Sequence, residues 1–483
     1  MSQITQLLKQ HRRNLHIYPE TAWTEFQTTW YIYQQLMALP FKLRLGKEIL
    51  NEAFVLNRDE EEVKSSTKRA LNNGVPKEFI HILDEFTGVM ATFETHKSGP
   101  TFVLRFDIDA LPIQETEDAQ HLPNLLGFRS RHDNCMHACG HDFHTAIGLV
   151  LARWISEQRA KLRGKIILLF QPAEEGSRGA RAVSASGLLD EADYFAAAHV
   201  GMMARTGEVV IDPYGFLCGT KFNVDFKGRA AHCASEPEAG KNALAAACSA
   251  FMLLQGISRN SKGASRINVG KLSGGRGRNI IPDQAYMEID LRGETTEVND
   301  YLVKRTQEIL KGTAQSLDVQ LSIEDLGTVY DIKNDPELVE YLKEVASQCP
   351  LVKAVTTHSD FGGSEDASII IKRIQQLFGK IHARSQPPCF AQLGGIQSYD
   401  RVWKIWNQQF FQIHLLSSLS FIGWLCLRVA AMNLCSTLRT EGRSCRLTRL
   451  SVYSEKAAVS ASASRPLKNT MYLGLSPLHF LMA

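Results

Sequence analysis

No stretch of the 483 residues is apolar for long enough to span a bilayer comfortably: the longest charge-free apolar run lies between His414 and Arg428. The opening, Met1 to His16, is polar and basic without an apolar core, so no secretory signal is expected. Ten cysteines in so long a chain do not make a disulfide framework. Cys218, Cys233 and Cys248 read as small hydrophobes in a reducing compartment, and the expected location is the cytoplasm with no membrane partner. The body has no basic stripe interleaved with aromatic residues, which disfavours nucleic acid. The glycine-rich Gly274-Gly275-Arg276-Gly277-Arg278-Asn279 lacks the Gly-Lys-Ser/Thr ending of a phosphate loop, which disfavours nucleotide binding. Acidic residues are scarce at one end. Residues 377–483 hold 12 Lys+Arg and 3 Asp+Glu, which leaves 42 and 48 for residues 1–376. The net charge of +3 therefore conceals a mildly acidic body and a basic tail. Apolar and charged contents of 44% and 22% are those of an ordinary globular protein, long enough for two or three domains.

What is present is concentrated in Met136-His137-Ala138-Cys139-Gly140-His141-Asp142-Phe143-His144. One thiolate and three imidazoles beside a carboxylate suit a borderline divalent metal such as zinc, manganese, nickel or cobalt. Two further segments of the same kind follow, Glu174-Glu175 and His199. A metal-dependent hydrolase is the natural reading.

The surrounding pattern supports this. Residues 1–40 read as two helices interrupted at Tyr18-Pro19, and residues 57–86 as a solvated helical insertion with Phe79, Ile80, Leu83 and Phe86 on its packed face. TFVLR (101–105) leading to Asp107 and Asp109, KIILLF (165–170) leading to Glu174-Glu175, and YFAAAH (194–199) are short apolar runs with polar ends. Helices follow His141 and Arg178, so strands alternate with helices. This predicts an α/β domain with a mainly parallel sheet, with the polar groups at C-terminal strand ends, where such sheets place their sites. Residues 213–330 differ: Phe222, Val224 and Phe226, and later Met287, Ile289 and Leu291, alternate with polar neighbours. The order strand, helix, strand, strand, helix, strand predicts an inserted ferredoxin-like α+β unit. Residues 1–212 and 331–376 then form the two parts of the first domain.

A lone Cys or His is more often a core residue than a ligand. Cys139 and His141 reverse those odds, being two ligand types two residues apart around a glycine that permits a sharp turn. Asp142 and Asp109 could orient imidazoles, whereas His137 and His144 could be ligands or polar neighbours. Adjacent buried carboxylates such as Glu174 and Glu175 need a cation or a shared proton. One can bind metal while the other works as a general base on water acidified by it. His232, after a strand, is weak evidence by itself. Arg292, at a strand end, could fork onto a substrate carboxylate or remain solvated.

Together with AAHCASEPEAGKNAL and GRNIIPD, these segments resemble the aminoacylase/carboxypeptidase family of dinuclear metallohydrolases, in its amidohydrolase branch, from the N-terminus to about Gln376. The insertion from GKEILNEAF to DEFTGVMATFET is similar to the group that cleaves p-aminobenzoyl-glutamate into p-aminobenzoate and glutamate. The resemblance implies two divalent metal ions (Mn, Zn, Ni or Co) held by Cys139, His141, Glu175 and His199, with Glu174 as general acid/base. It implies that His232, on a lid or dimerisation domain, stabilises the oxyanion, and that Asn279 and Arg292 hold the substrate carboxylate. It further implies a homodimer, or a heterodimer with a related subunit, acting on a small N-acyl or N-aroyl amino acid. The alternatives are a hydrolase of N-acetyl or N-benzoyl amino acids, or an impaired subunit. The family's fifth ligand, a His followed by Asn and a Phe-Asp segment, has no counterpart. We read Leu377–Ala483 as an aberrant tail, a frame-shifted replacement of the last strands and helix, whose His382, His414 and His479 lack the expected context.

Overall fold

The computed structural model describes residues 3–201, 204–205, 207–360, 362–381 and 389–395. Among them twelve strands are formed: β1 (Lys42–Leu45), β2 (Val89–Glu94), β3 (Thr101–Asp107), β4 (Lys165–Gln171), β5 (Tyr194–Val200), β6 (Glu208–Tyr214), β7 (Cys218–Lys227), β8 (Ser265–Gly274), β9 (Gln284–Gly293), β10 (Gln320–Val329), β11 (Ala354–Asp360) and β12 (Cys389–Gly395). They make an eight-stranded sheet in the order β1-β2-β4-β3-β5-β12-β6-β11 and a four-stranded sheet in the order β10-β7-β9-β8. The centre of the larger sheet is parallel, with β3 pairing in parallel with both β4 and β5, while β1 and β2 form an antiparallel flank.

The apolar runs are strands because both of their faces are covered. Ile166, Leu168 and Phe170 of β4 join Phe102, Leu104 and Phe106 of β3 in a core that packs on the helices Gln3–Ile17, Phe26–Leu36, His141–Gln158 and Pro336–Ser347. Ile167, Leu169 and Val103 point the other way, onto the helices Gly179–Ala185 and Ala367–Ile381. With side chains alternating across a strand, a strand covered on both sides is apolar throughout. Each fully buried Phe or Leu contributes about 1.5–3 kcal/mol.

The smaller sheet is antiparallel, and its helices Ala243–Gln255 and Thr296–Ser316 lie on one face, against Phe222, Val224, Phe226, Met287, Ile289 and Leu291. The alternate residues, Gly219, Lys221, Asp290 and Arg292 among them, occupy the other face.

In two places the chain departs from its sequence pattern. Phe86 lies beyond the helix Lys77–Leu83, because Asp84 takes a left-handed conformation that ends the helix, and it packs in the second core instead. The helix Ala367–Ile381 runs five residues past the boundary drawn at Gln376, and β12 adds a strand between β5 and β6 from within the segment read as a tail. A strand in that place is held by backbone pairing to β5 over Cys389–Gly395 and needs no alternating pattern of its own. His382, His414 and His479 lie outside the described residues. Among the described residues no helix is long and apolar enough to cross a membrane.

The turn from β4 into the helix Gly179–Ala185 depends on a close backbone approach. A Cβ on Gly179 would lie 1.8 Å from the Pro172 carbonyl oxygen. Gly179→Ala is expected to lower stability by about 3 kcal/mol, at the high end for overpacking because backbone must move. A thermal melt checks this, and an unchanged midpoint would show that the turn has slack.

Candidate active site

Three strand ends and one helix start converge. Cys139 and His141 flank Gly140, whose φ of 88° is reached without strain only by glycine and where a Cβ would sit 2.7 Å from Val200. This turn opens the helix His141–Gln158 and aims Cys139 and His141 at the end of β5, where Cys139 Sγ is 3.3 Å from His199 Nε2. Cys139, His141 and His199 present ligand atoms within 4.8 Å of one another, and so do His141, Glu174 and Glu175.

Hydrogen bonds set the imidazole tautomers. His141 Nδ1 donates to the Asp109 carbonyl at 2.9 Å, and His199 Nδ1 donates to the Val200 carbonyl at 2.6 Å. Both leave Nε2 as the lone-pair face. His141 Nε2 is buried without a hydrogen-bond partner among the described residues, and Glu175 Oε1 is in the same position. Orphaned ligand-type atoms beside a thiol are what a divalent cation would satisfy, so the donor set fits a metal. His144 is used differently: its Nε2 accepts from the Val200 N–H at 2.9 Å and its Nδ1 donates to Asp107. Both nitrogens are committed, which makes it a brace for β5. His137 is buried but lies outside the ligand groups. Asp142 does orient an imidazole, but that of His16, whose Nδ1 donates to it at 2.8 Å.

The turn after β4 is held by two buried carboxylates. Glu25 accepts from the Ala173 N–H at 2.8 Å, and Asp109 accepts from the N–H groups of Glu174 and Glu175 at 3.1 and 2.8 Å. Three consecutive amides are thereby fixed, and Ala173 is kept at a φ of 57°. Glu25 is pushed up to about 8, by burial first and then by the Asp109 charge. Burial pushes Glu175 up to about 7. Glu174 is held well above the ordinary carboxyl range by burial, then by Glu365 and Asp366. His199 is driven down to about 3 by burial and by the neighbouring His144, so it is neutral at physiological pH. His141 goes the other way: burial opposes its charge, but Asp107 and Cys139 outweigh it. Without a cation the cluster therefore holds protons that a cation would displace.

Behind the turn lies Arg105. Its guanidinium is 2.6 Å from Asp107, 3.1 Å from Glu365 and 2.7 Å from Asp366, all of them buried, and it bonds Gln171 at 3.0 Å. Asp366 also accepts from Gln171 and from the Ala180 N–H.

In front of the cluster is a cavity of about 260 Å³. Cys139, Glu174, Glu175 and His199 line its floor, while Lys221 and Arg292 come from the smaller sheet. Arg292 is clamped: Nε lies 3.0 Å from Asp290 and Nη1 donates to the Ser364 hydroxyl at 2.8 Å. His232 and Asn279 sit elsewhere. Both are exposed at the tip of the inserted domain, tied together by the bridge of His232 to Ile280 and by the Cys233 N–H on the Asn279 carbonyl, and neither lines the cavity. Arg105, Glu25 and Lys221 were not singled out from the sequence. An arginine inside the apolar run TFVLRFD was the readable sign for the first, since a charge buried in a strand must find partners. Glu25 and Lys221 carry no such sign.

Residues 103–388 match the family model of Peptidase family M20/M25/M40. The chain is 42% identical over 378 residues to a p-aminobenzoyl-glutamate hydrolase subunit homolog of Haemophilus influenzae, covering 78% of this chain and 89% of that protein. It is 40% identical over 372 residues to the indole-3-acetyl-aspartic acid hydrolase of Enterobacter agglomerans, covering 76% and 85%. The crystal structure of the aminobenzoyl-glutamate utilization protein from Klebsiella pneumoniae superposes with a TM-score of 0.70 at 32% identity, covering 87% of this chain and 96% of that one. The chain therefore belongs to Peptidase family M20/M25/M40 and is a metal-dependent amidohydrolase.

Proposed function

We propose that the protein hydrolyses the amide of an N-aroyl or N-acyl acidic amino acid in the cytoplasm, with p-aminobenzoyl-glutamate as the leading substrate. The observation that carries this reading is the cavity itself, which sets a carboxylate–thiol–imidazole floor beneath the cationic Arg292. Its relatives are named for glutamate and aspartate conjugates.

In this reading Cys139, His141, Glu175 and His199 would hold two divalent ions, with zinc, manganese, nickel and cobalt as candidates. Such ions, when bound, polarise the amide carbonyl and acidify a water molecule. The chain's own groups do the rest. Glu174 takes the proton from the attacking water and returns it to the leaving nitrogen, a role suited to a carboxyl whose proton affinity is raised. Arg292, steadied by Asp290 and Ser364, holds the substrate carboxylate. His232 and Asn279, exposed and outside the lining of their own cavity, serve the site of a paired subunit, where His232 donates to the oxyanion. The exposed edge strand β8, with Met252 and Leu253 at 67% and 55% exposure on the helix beside it, is the surface proposed for that pairing, with a second copy or a related subunit.

The test is a panel of p-aminobenzoyl-glutamate, indole-3-acetyl-aspartate and N-acetyl and N-benzoyl amino acids. The expected result is fastest release of amino acid from the aroyl-glutamate, abolished by a chelator and restored by added Mn²⁺ or Zn²⁺. Faster cleavage of N-acetyl amino acids, or turnover untouched by chelation, contradicts the reading.

A further inference from the structure

The smaller sheet brings two cations to the cavity, and only one of them is paired among the described residues. Lys221 and Asp290 face each other in the register of β7 and β9, and Gly219 faces Arg292. Asp290 is the natural partner for either cation. Its carboxylate is taken by Arg292, which bonds it through Nε at 3.0 and 3.1 Å and through Nη2 at 3.0 Å. Among the described residues the Lys221 side chain has no hydrogen bond and no ion pair, although it lines the cavity and is half-buried. Burial, followed by the charge of Arg292, lowers its proton affinity, and the charges of Asp290 and Glu174 offset this only in part. An ammonium withdrawn from water without a partner is costly, and an anionic ligand removes that cost.

The two cations arise from diagonal positions on adjacent strands, about 7–8 Å apart at their bases. This separation suits two carboxylates of one ligand better than two cations on a single carboxylate. We infer that Lys221 is a specificity-determining residue that receives the side-chain carboxylate of the acylated amino acid, while Arg292 receives the α-carboxylate. This rests on the reading of the protein as an amidohydrolase of acylated acidic amino acids and states what makes it select them. A neutral side chain would leave the Lys221 ammonium unpaired, so discrimination arises from the penalty on the wrong ligand as well as from attraction to the right one.

The experiment compares p-aminobenzoyl-glutamate with p-aminobenzoyl-glutamine, which differ in one charge and hardly in shape. In the wild-type protein, loaded with Mn²⁺, kcat/KM is expected to favour the glutamate compound by about 10- to 100-fold. Lys221→Met is expected to abolish this preference, lowering kcat/KM for the glutamate compound, mainly through KM, and raising it for the glutamine compound. Lys221→Arg should restore much of the preference. Binding of both compounds to Glu174→Gln protein, with and without Lys221→Met, gives the same ratio without turnover. Parallel losses on both compounds, or a ratio unchanged by Lys221→Met, overturn the inference. Turnover of p-aminobenzoyl-glutamate with no preference for it also overturns the inference but leaves the proposed reaction standing. A preference in binding with no turnover by the metal-loaded wild type supports the inference and counts against the proposed reaction.

Discussion

Glu174→Gln is expected to reduce kcat/KM by about 10³-fold while metal content stays the same. General acid–base groups contribute about 10²–10⁴-fold, and one that serves both proton transfers stands well inside that range. Gln keeps the shape and hydrogen-bonding reach of Glu but can neither take a proton from water nor deliver one to nitrogen. Glu174 shares the cavity with Glu175, and burial raises both carboxyls; Glu174 is raised further by Glu365 and Asp366, while Glu175 keeps a buried oxygen without a hydrogen-bond partner among the described residues. The proposed division of the pair into a proton carrier and a ligand is what this variant tests. Steady-state kinetics and metal analysis on the same preparation check the assignment. A loss of metal together with activity would exchange their roles, and a rate within threefold of wild type would remove Glu174 from the chemistry.

The largest expected effect on stability comes from Arg105→Met, about 3–5 kcal/mol. The substitution fills similar space but leaves Asp107, Glu365 and Asp366 buried around a missing cation. Asp366 is already pushed up to about 7 by burial, and loss of the guanidinium favours its protonated form further. Arg105 also ties β3 to a loop 261 positions later in the chain, so its loss loosens the joint between the two parts of the larger domain. Denaturant unfolding followed by fluorescence measures the change, and Arg105→Lys, which keeps the charge without the fork, should fall between. A midpoint equal to that of the wild type would show that the three carboxylates find other partners.

The parts of this architecture legible in the sequence were those where one constraint dominates. KIILLF admits little but a doubly covered strand, and Cys139-Gly140-His141 is hard to read as a core accident. The alternation in β7 and β9 betrayed a sheet with one covered face, and the order of elements led to the ferredoxin-like unit. What stayed hidden depended on distant partners. Glu25 looks like any carboxylate at a helix start until Ala173 arrives from 148 positions away. Lys221 looks like a solvated strand residue until β9 shows that Asp290 is occupied. His144 read as a possible ligand, and only the Val200 amide and Asp107 reveal that both of its nitrogens are spent. The position of β12 was illegible because its support lies in the backbones of its neighbours.

That strand also bears on the order of assembly. The inserted unit draws its four strands from one continuous segment, Cys218 to Val329, and can be complete as soon as that segment has been synthesised. The larger sheet cannot, because Cys389 pairs with Tyr194 and the strand between β5 and β6 is the last described element of the chain. Closing a loop of that length comes late, since its entropy must be met before the pairing rewards it. A nascent chain therefore carries a folded four-stranded unit beside a sheet whose β5 and β6 edges are still unpaired. Those edges, rather than the catalytic cluster, are where a chaperone or an aggregating neighbour would first find purchase.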